Sequence, residues 1–543
     1  PRPCYLRPPG AVVAELAGPC RAFDCDALSK VGETPPGMKV TVLPATADDR
    51  ERVPESVPAG VTATVLVVLP SANYARLMRE QEDRSFEYHL VEHPEYQMGR
   101  PIAFDADAFV EATLAYCCAQ TKPIDAVMAF DCFPTLLASV INDEMALPGP
   151  SFRSVFLCCN KYYMRRELNP SMQITTPSDE PPNHFPAVLK VSDTQFYVGT
   201  RICLDPKDWK DTWRDLAAGL MSTGDVATRK KFYYKWACHF GWAADMAWAT
   251  PSDICLAHVE PLIANRGEYQ AEVVVLSDGT MNMADTGDIE HGPGQLITVF
   301  KTPGTFTITP KLQAWLRQVV GGITKFGYKS AAMDVEFVRC VGEEEQYELV
   351  EINSRYSYMG NLLHLGIAAE AQVGEWHTPG IDEHHEIRNL LNRTRLALGA
   401  PPATMPSRDS PDVCKLAAMI YTERLGPIDA FFDKAALTAM INDTTLDAFA
   451  PKPVFLSGTV SEADLREYNG WAKIGCILLT MEDDLQKINS QLDTIVRRLF
   501  RGEARGFLPV EVVDEDGDGP TMLTFDVLDN GKSVELPPLY RVQ

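Results

Sequence analysis

The segment YELVEINSRYS, residues 347–357, restricts the fold more than any other stretch of the chain. Val350, Ile352 and Ser354 alternate with Glu351, Asn353 and Arg355. Successive side chains of a β-strand point to opposite faces, so an acid, an amide and a guanidinium share one side. Polar groups removed from water without partners are unfavourable. The row therefore either lines a polar site or sits in a dense hydrogen-bond network.

The chain around it has 543 residues, too many for one core, and roughly two to four domains follow. No apolar run reaches the roughly eighteen residues that a membrane helix needs. The opening PRPCYLRPPGAVVAELAGPC is Pro-rich, has no basic region ahead of an apolar core, and reads as a poor signal peptide. The 14 cysteines include adjacent pairs at Cys117-Cys118 and Cys158-Cys159 but no CxxC. That pattern argues against a zinc site or a disulfide scaffold, and reduced thiols in a cytoplasmic protein are the expectation. A net charge of −24 repels polyanions, so neither nucleic acid nor an anionic membrane is an expected partner. A local basic pocket can still hold a nucleotide.

VTATVLVVLPS (61–71) reads as a strand buried on both faces, SFEYHLVEH as a second strand, AFDADAFVEATLAYCCAQ as a helix and IDAVMAF as a third strand. Their order predicts a parallel α/β domain. PAVLKVSD follows the loop PSDEPPNHFP as a strand, and residues 205–248 are Trp-rich with helical spacing. QAEVVVLSDGTMNMADTG reads as strand, Asp-Gly turn and strand, and PKLQAWLRQVVGGITKFG as a helix stopped by glycine. AAMDVEFVRCVGEEEQYELVEINSRYS is a strand pair joined by an acidic turn. GAPPATMPSRDSP (399–411) is a linker, after which KLAAMIY restarts the chain as a strand in a last α+β segment. The boundaries expected are 1–152, 153–402 and 403–543.

Glu336 in AMDVEFV and Glu351 can sit side by side on one face of an antiparallel pair. With the Asn353 carbonyl they form an all-oxygen set suited to Mg²⁺ bridging phosphates. A hydrogen-bonded polar row on a half-exposed sheet explains the same residues, and the residues alone do not decide between the two. Lys161 follows a Pro-Gly-Pro-Ser break that opens a helix, and Lys190 ends the apolar strand FPAVLK. Lysine is a point-charge partner for phosphate, although each lysine by itself is more often a solvated surface group. Glu260, Pro261, Leu262 and Ile263 end a strand before Asn265-Arg266-Gly267 and Glu268. Pro261 has no amide hydrogen, which leaves backbone groups of this hinge able to read the edge of a heterocycle. A plain hairpin loop is the bland alternative.

Taken in order, these residues resemble the ATP-grasp superfamily over roughly residues 60–400, with Glu351-Ile352-Asn353-Ser354-Arg355 as the most specific piece. The layout is similar to carboxylate–amine ligases of the L-amino-acid ligase and carnosine-synthase type. That resemblance implies an α/β and α+β multidomain chain: an ATP-grasp fold with a Rossmann-like pre-ATP-grasp domain before it, an α+β domain after it, and a lid at about 186–260. It further implies that Lys161 and Lys190 bind the phosphates of ATP, that Glu260, Pro261, Leu262 and Ile263 hold adenine, and that Glu268 holds the ribose. Glu336, Glu351 and Asn353 would ligate Mg²⁺ (or Mn²⁺), and Arg355 would act catalytically on the transferred phosphate or the acyl group. The implied reaction joins a small carboxylate, an amino acid for instance, to an amine through an acylphosphate, releasing ADP and phosphate. The small acid and amine are the expected partners, with a homodimer as the default assembly.

One departure concerns VSDTQFYVGTR, which offers only Gly199 where such proteins carry a glycine-rich loop. Ser192 and Thr194 are the available substitutes. The alternatives are a biotin-carboxylase-like carboxylase and a non-catalytic nucleotide-binding protein. Substrate selectivity is expected from loops, Thr286–Thr305 among them. Three other signals are set aside. VDEDGDGP (513–520) has Phe525 where an EF-hand loop needs Glu. His384 and His385 are adjacent rather than in HExxH order. The aromatic run KKFYYKWACHFGWAADMAW reads as a lid helix packing its aromatic face, not a single-strand binder.

Overall fold

The computed structural model describes residues 38–45, 63–70, 74–75, 78–79, 86–94, 105–169, 172–193, 200–218, 224–263, 265–291, 297–302, 308–341, 345–355, 394–400 and separate strands between 413 and 527. The 513–520 loop, His384, His385, Thr194 and Gly199 lie outside these residues.

Strands β1 (Lys39–Leu43), β2 (Thr64–Val68), β3 (Glu87–Glu92) and β4 (Ala126–Met128) form one sheet in the order β1-β3-β2-β4. β2 runs parallel to β3 and β4, and all of it is buried, as an uninterrupted apolar run requires. Helix α1 (Ala106–Ala119) is capped by Asp105 and α2 (Cys132–Met145) by Asp131. Two short helices follow. Ser151 caps α3 (Phe152–Cys159), and the buried Asn160 both ends α3 and caps α4 (Lys161–Leu168) through bonds from the Tyr162 and Tyr163 amides.

A three-stranded antiparallel sheet comes next, β5 (Ala187–Val191) between β6 (Arg201–Cys203) and β7 (Ala257–Pro261). Helix α5 (Pro206–Ala218) sends Trp209 and Leu216 into its small core. Helix α6 (Gly224–His239) behaves differently. Phe232, Tyr233 and Trp236 join Phe152 and Phe156 of α3 in the largest apolar cluster, so this aromatic run packs on the main body.

The main sheet is antiparallel. It contains β8 (Asn265–Val275), β9 (Met281–His291), β10 (Ile297–Thr302), β11 (Ala331–Cys340) and β12 (Tyr347–Asn353). Of the stretch 286–305, read above as loop, the described residues 286–291 and 297–302 belong to the paired strands β9 and β10. The Asp-Gly turn joins β8 to β9 with Gly279 at φ +84°. Helix α7 (Pro310–Thr324) buries Leu312, Leu316, Val319 and Ile323 against the sheet face carrying Val273, Val335 and Phe337. After it, Gly327 turns the chain at φ +96°.

Past the linker come β13 (Val413–Thr422), β14 (Gly426–Pro427), β15 (Lys452–Phe455), β16 (Thr459–Val460), β17 (Ala472–Glu482), β18 (Arg505–Val510) and β19 (Thr524–Val527). β13 pairs with β10, so the sheet order β12-β11-β8-β9-β10-β13-β17-β15 crosses the linker without a break. No helix among the described residues is long and apolar enough to cross a membrane.

Candidate active site

One face of β8, β11 and β12 is apolar and covered by α7; the other collects acids. The register sets Glu336 directly opposite Glu351 and Asp334 opposite Asn353. On the far side of β11, Asp334 faces Glu272 and Glu336 faces Gln270. Period-two alternation thus builds a polar patch three strands wide. The Asn353 amide nitrogen lies at its centre and donates to Glu336 at 2.9 Å, Glu351 at 3.1 Å and Asp334 at 3.3 Å. The Cys132 thiol donates to the other atom of that amide, Oδ1, at 3.4 Å.

Burial, then the neighbouring Glu351 and Asp334 charges, pushes the Glu336 carboxyl well above its ordinary range. Burial and Glu272 do the same to Asp334. Glu351 goes the other way. Burial alone would raise it, but Lys161, with its ammonium 2.7 Å away, holds it below the ordinary value. Lys161 is raised in turn, because Glu351 outweighs the desolvation that opposes its charge. Lys161 is the first residue of α4, and its amide donates to the Ser192 carbonyl at the end of β5. A cleft of about 410 Å³ counting its mouth opens here, lined by Lys161, Asp193, Glu351, Asn353, Cys132 and Cys159.

Lys190 is placed differently from the sequence reading. It lies inside β5 rather than at its tip, buried, with its ammonium paired to Glu260. Glu260 also accepts from Arg165 at 3.0 Å and lies 3.3 Å from His258. Burial alone would raise the Glu260 carboxyl; Arg165 and Lys190 instead hold it well below the usual range. Burial pushes His258 down. Its other ring nitrogen is 2.9 Å from the Ser192 hydroxyl. The Ser192 amide donates to the Leu256 carbonyl. Ser192 is therefore committed to the framework and does not supply the missing phosphate loop. In the hinge, Pro261 stands opposite Ala187 and the Leu262 amide donates to Pro186, so that amide cannot read a heterocycle. Pro261, Leu262 and Ile263 are all half-buried. Glu268 is half-buried on the acid-bearing face of β8, and its charge adds to the rise of Glu336.

Arg355 is buried, 3.7 Å from Asp334. Four participants were not singled out in the sequence: Asp334, Glu272, Arg165 and His258. The alternation that marks Glu336 also marks Asp334, two residues earlier, and Glu272 alternates with Ala271 and Val273 in the same way. Arg165 and His258 carry no local signal, since their role depends on the packing of α4 against β7.

Neither a protein-family model nor a curated protein matches the sequence. Solved structures do. An L-amino acid ligase from Bacillus licheniformis superposes with a TM-score of 0.53 at 13% identity, over 81% of this chain and 98% of that one. The chain has the ATP-grasp fold. Two further structures fall below 0.5 and are too distant to bear on the site. They are phosphoribosylglycinamide synthetase from Anaerococcus prevotii, at TM-score 0.47 and 13% identity over 81% and 99% of the two chains, and N5-carboxyaminoimidazole synthase from Aspergillus clavatus, at 0.48 and 13% over 80% and 98%.

Among the described residues of this ATP-grasp fold, no three His, Cys, Asp or Glu side chains form a preassembled metal nest. The acids converge on the Asn353 amide instead. Asp334 Oδ1 is nevertheless buried without a hydrogen-bond partner, and two carboxyls are raised by burial and mutual repulsion. A patch so short of positive charge, and built of hard oxygen donors, fits Mg²⁺.

Proposed function

We propose that the chain is an ATP-dependent carboxylate–amine ligase. The observation that carries this reading is the group Asp334, Glu336, Glu351, Asn353 and Arg355 on one sheet face, with Lys161 reaching it from α4. A merely structural polar row does not need three acids and an amide packed together with too few counter-charges. Lys161 and Lys190 would receive the phosphates of ATP, the segment Glu260–Ile263 the adenine and Glu268 the ribose. Glu336, Glu351 and Asn353 would hold Mg²⁺, which when bound neutralises phosphate charge during transfer.

A carboxylate resists attack until one of its oxygens carries a phosphoryl group. Its oxygen attacks the γ-phosphorus, the bond to ADP breaks, and an acylphosphate results. The amine then adds to the acyl carbon, and phosphate leaves as the amide forms. Arg355 stabilises the charge developing on the acyl oxygen. The β6-β5-β7 sheet acts as a lid that excludes water from the acylphosphate. Lys190 is held in position for this by Glu260, which Arg165 fixes.

The test is release of ADP and phosphate from ATP with amino-acid and amine pairs, with products identified by mass spectrometry. Release that requires both partners, accompanied by an amide product, supports the ligase. Release with bicarbonate alone points to a carboxylase, and none with any acid to a nucleotide-binding protein.

A further inference from the structure

Past Arg355 the polar face ends in a second cleft, of about 530 Å³ counting its mouth. Val127 and Met128 of β4, Ala138 of α2, Ala332 of β11, and Leu396 and Ala397 of the 394–400 segment wall it, all of them buried. Five buried polar side chains interrupt this apolar lining: Thr135, Asn142, Ser330, Ser354 and Arg355. Asn142 Oδ1 and the Ser330 hydroxyl have no hydrogen-bond partner, although the two residues are only 3% and 4% exposed. Buried polar atoms are normally satisfied, so two orphans in one cleft mark where the polar atoms of a ligand belong. Ser330 also sits at φ +52°, a left-handed conformation that a non-glycine residue keeps only under constraint from its surroundings.

We propose that this cleft seats the acid substrate, and that the acid is an α-amino acid with an apolar side chain. The guanidinium of Arg355 and the hydroxyl of Ser330 donate to its carboxylate, on the side nearest the acid patch. Asn142 Oδ1, an acceptor, takes a hydrogen from its ammonium. The side chain lies among Ala138, Ala332, Leu396 and Ala397. Arg355 is the one charged side chain among the described lining residues. A charged substrate side chain therefore has no counter-ion there, and burying it alone is disfavoured. The identity of the acid rests on the ligase reading; the binding itself does not.

Calorimetric titration of the full chain with glycine, alanine, valine, leucine and aspartate, with and without ADP, separates the two. Leucine and valine are expected to bind at least 10-fold more tightly than glycine, and aspartate not at all. Ala138→Leu fills the cleft and should weaken leucine binding more than 10-fold. Ser330→Gly relieves the left-handed strain, keeps the fold, and should weaken leucine by roughly 2- to 10-fold through one lost hydrogen bond. The assignment is overturned if no apolar amino acid binds under either condition, or if leucine binds the Ser330→Gly chain as it binds the native one. Leucine binding without acid-dependent ADP release sinks the ligase and leaves the cleft. ADP release that is indifferent to side chain and to both substitutions does the reverse.

Discussion

Glu336 and Glu351 face each other across β11 and β12 with Asp334 beside them, and Lys161 and Arg355 compensate these charges only in part. Removing one acid should therefore relieve the empty protein while harming the loaded one. Asp334→Asn is expected to leave thermal unfolding without nucleotide unchanged or shifted upward, and to lower acid-dependent ADP release at least 100-fold. A loss of more than about 2 kcal/mol in the nucleotide-free protein contradicts the repulsion argument. Lys161 and Glu351 give the complementary case. Their side chains are 12% and 17% exposed, so Lys161→Met should destabilise by about 2 kcal/mol, below the figure for fully buried pairs. Adding Glu351→Gln should restore most of it, as urea unfolding of the single and double variants would reveal. Both residues stood out in the sequence, each for its own reason. Their pairing did not, because it depends on α4 meeting β12.

At the scale of elements, β5, β7 and α4 are joined by the buried group Ser192, His258, Glu260, Lys190 and Arg165. The pH dependence follows from its two depressed groups. Each binds fewer protons folded than unfolded, so its contribution is full above its unfolded pKa and is lost as pH falls through its folded one. For His258 the loss begins near pH ~6.5 and for Glu260 near pH ~4.3. Urea midpoints should accordingly decline on acidification from pH ~7.5. Glu260→Gln should abolish the carboxylate part of that decline; a midpoint that rises toward pH ~5 contradicts it. A second element-level test concerns the turn after α7. A Cβ at Gly327 would lie 2.9 Å from the Ser151 hydroxyl, at φ +96°. Gly327→Ala should lower equilibrium stability by about 1–2 kcal/mol, because it adds left-handed strain to a clash with the cap of α3. The glycine stop was plain from the sequence; the serine it must clear, far earlier in the chain, was not.

For the whole molecule, the β10–β13 pairing makes the part before the linker and the part after it share one sheet. Ending the chain at Ala400 would leave β10 as an open edge with unpaired backbone groups. The shortened protein is expected to aggregate on size-exclusion chromatography. If it stays monomeric with an unchanged unfolding midpoint, the two parts are energetically separate. Periodicity alone was enough to find the parallel strands β2, β3 and β4, though not β1, which joins their sheet antiparallel. It also found the antiparallel strands and the polar face of β12, because alternation and turn chemistry act over a few residues. Tertiary structure alone decided that Lys190 is ion-paired inside its strand, that Ser192 is already engaged, and that Asn142, Ser330 and Arg355 share one cleft. Those facts arise from contacts between residues far apart in the chain, where burial and charge, not local pattern, set the energy.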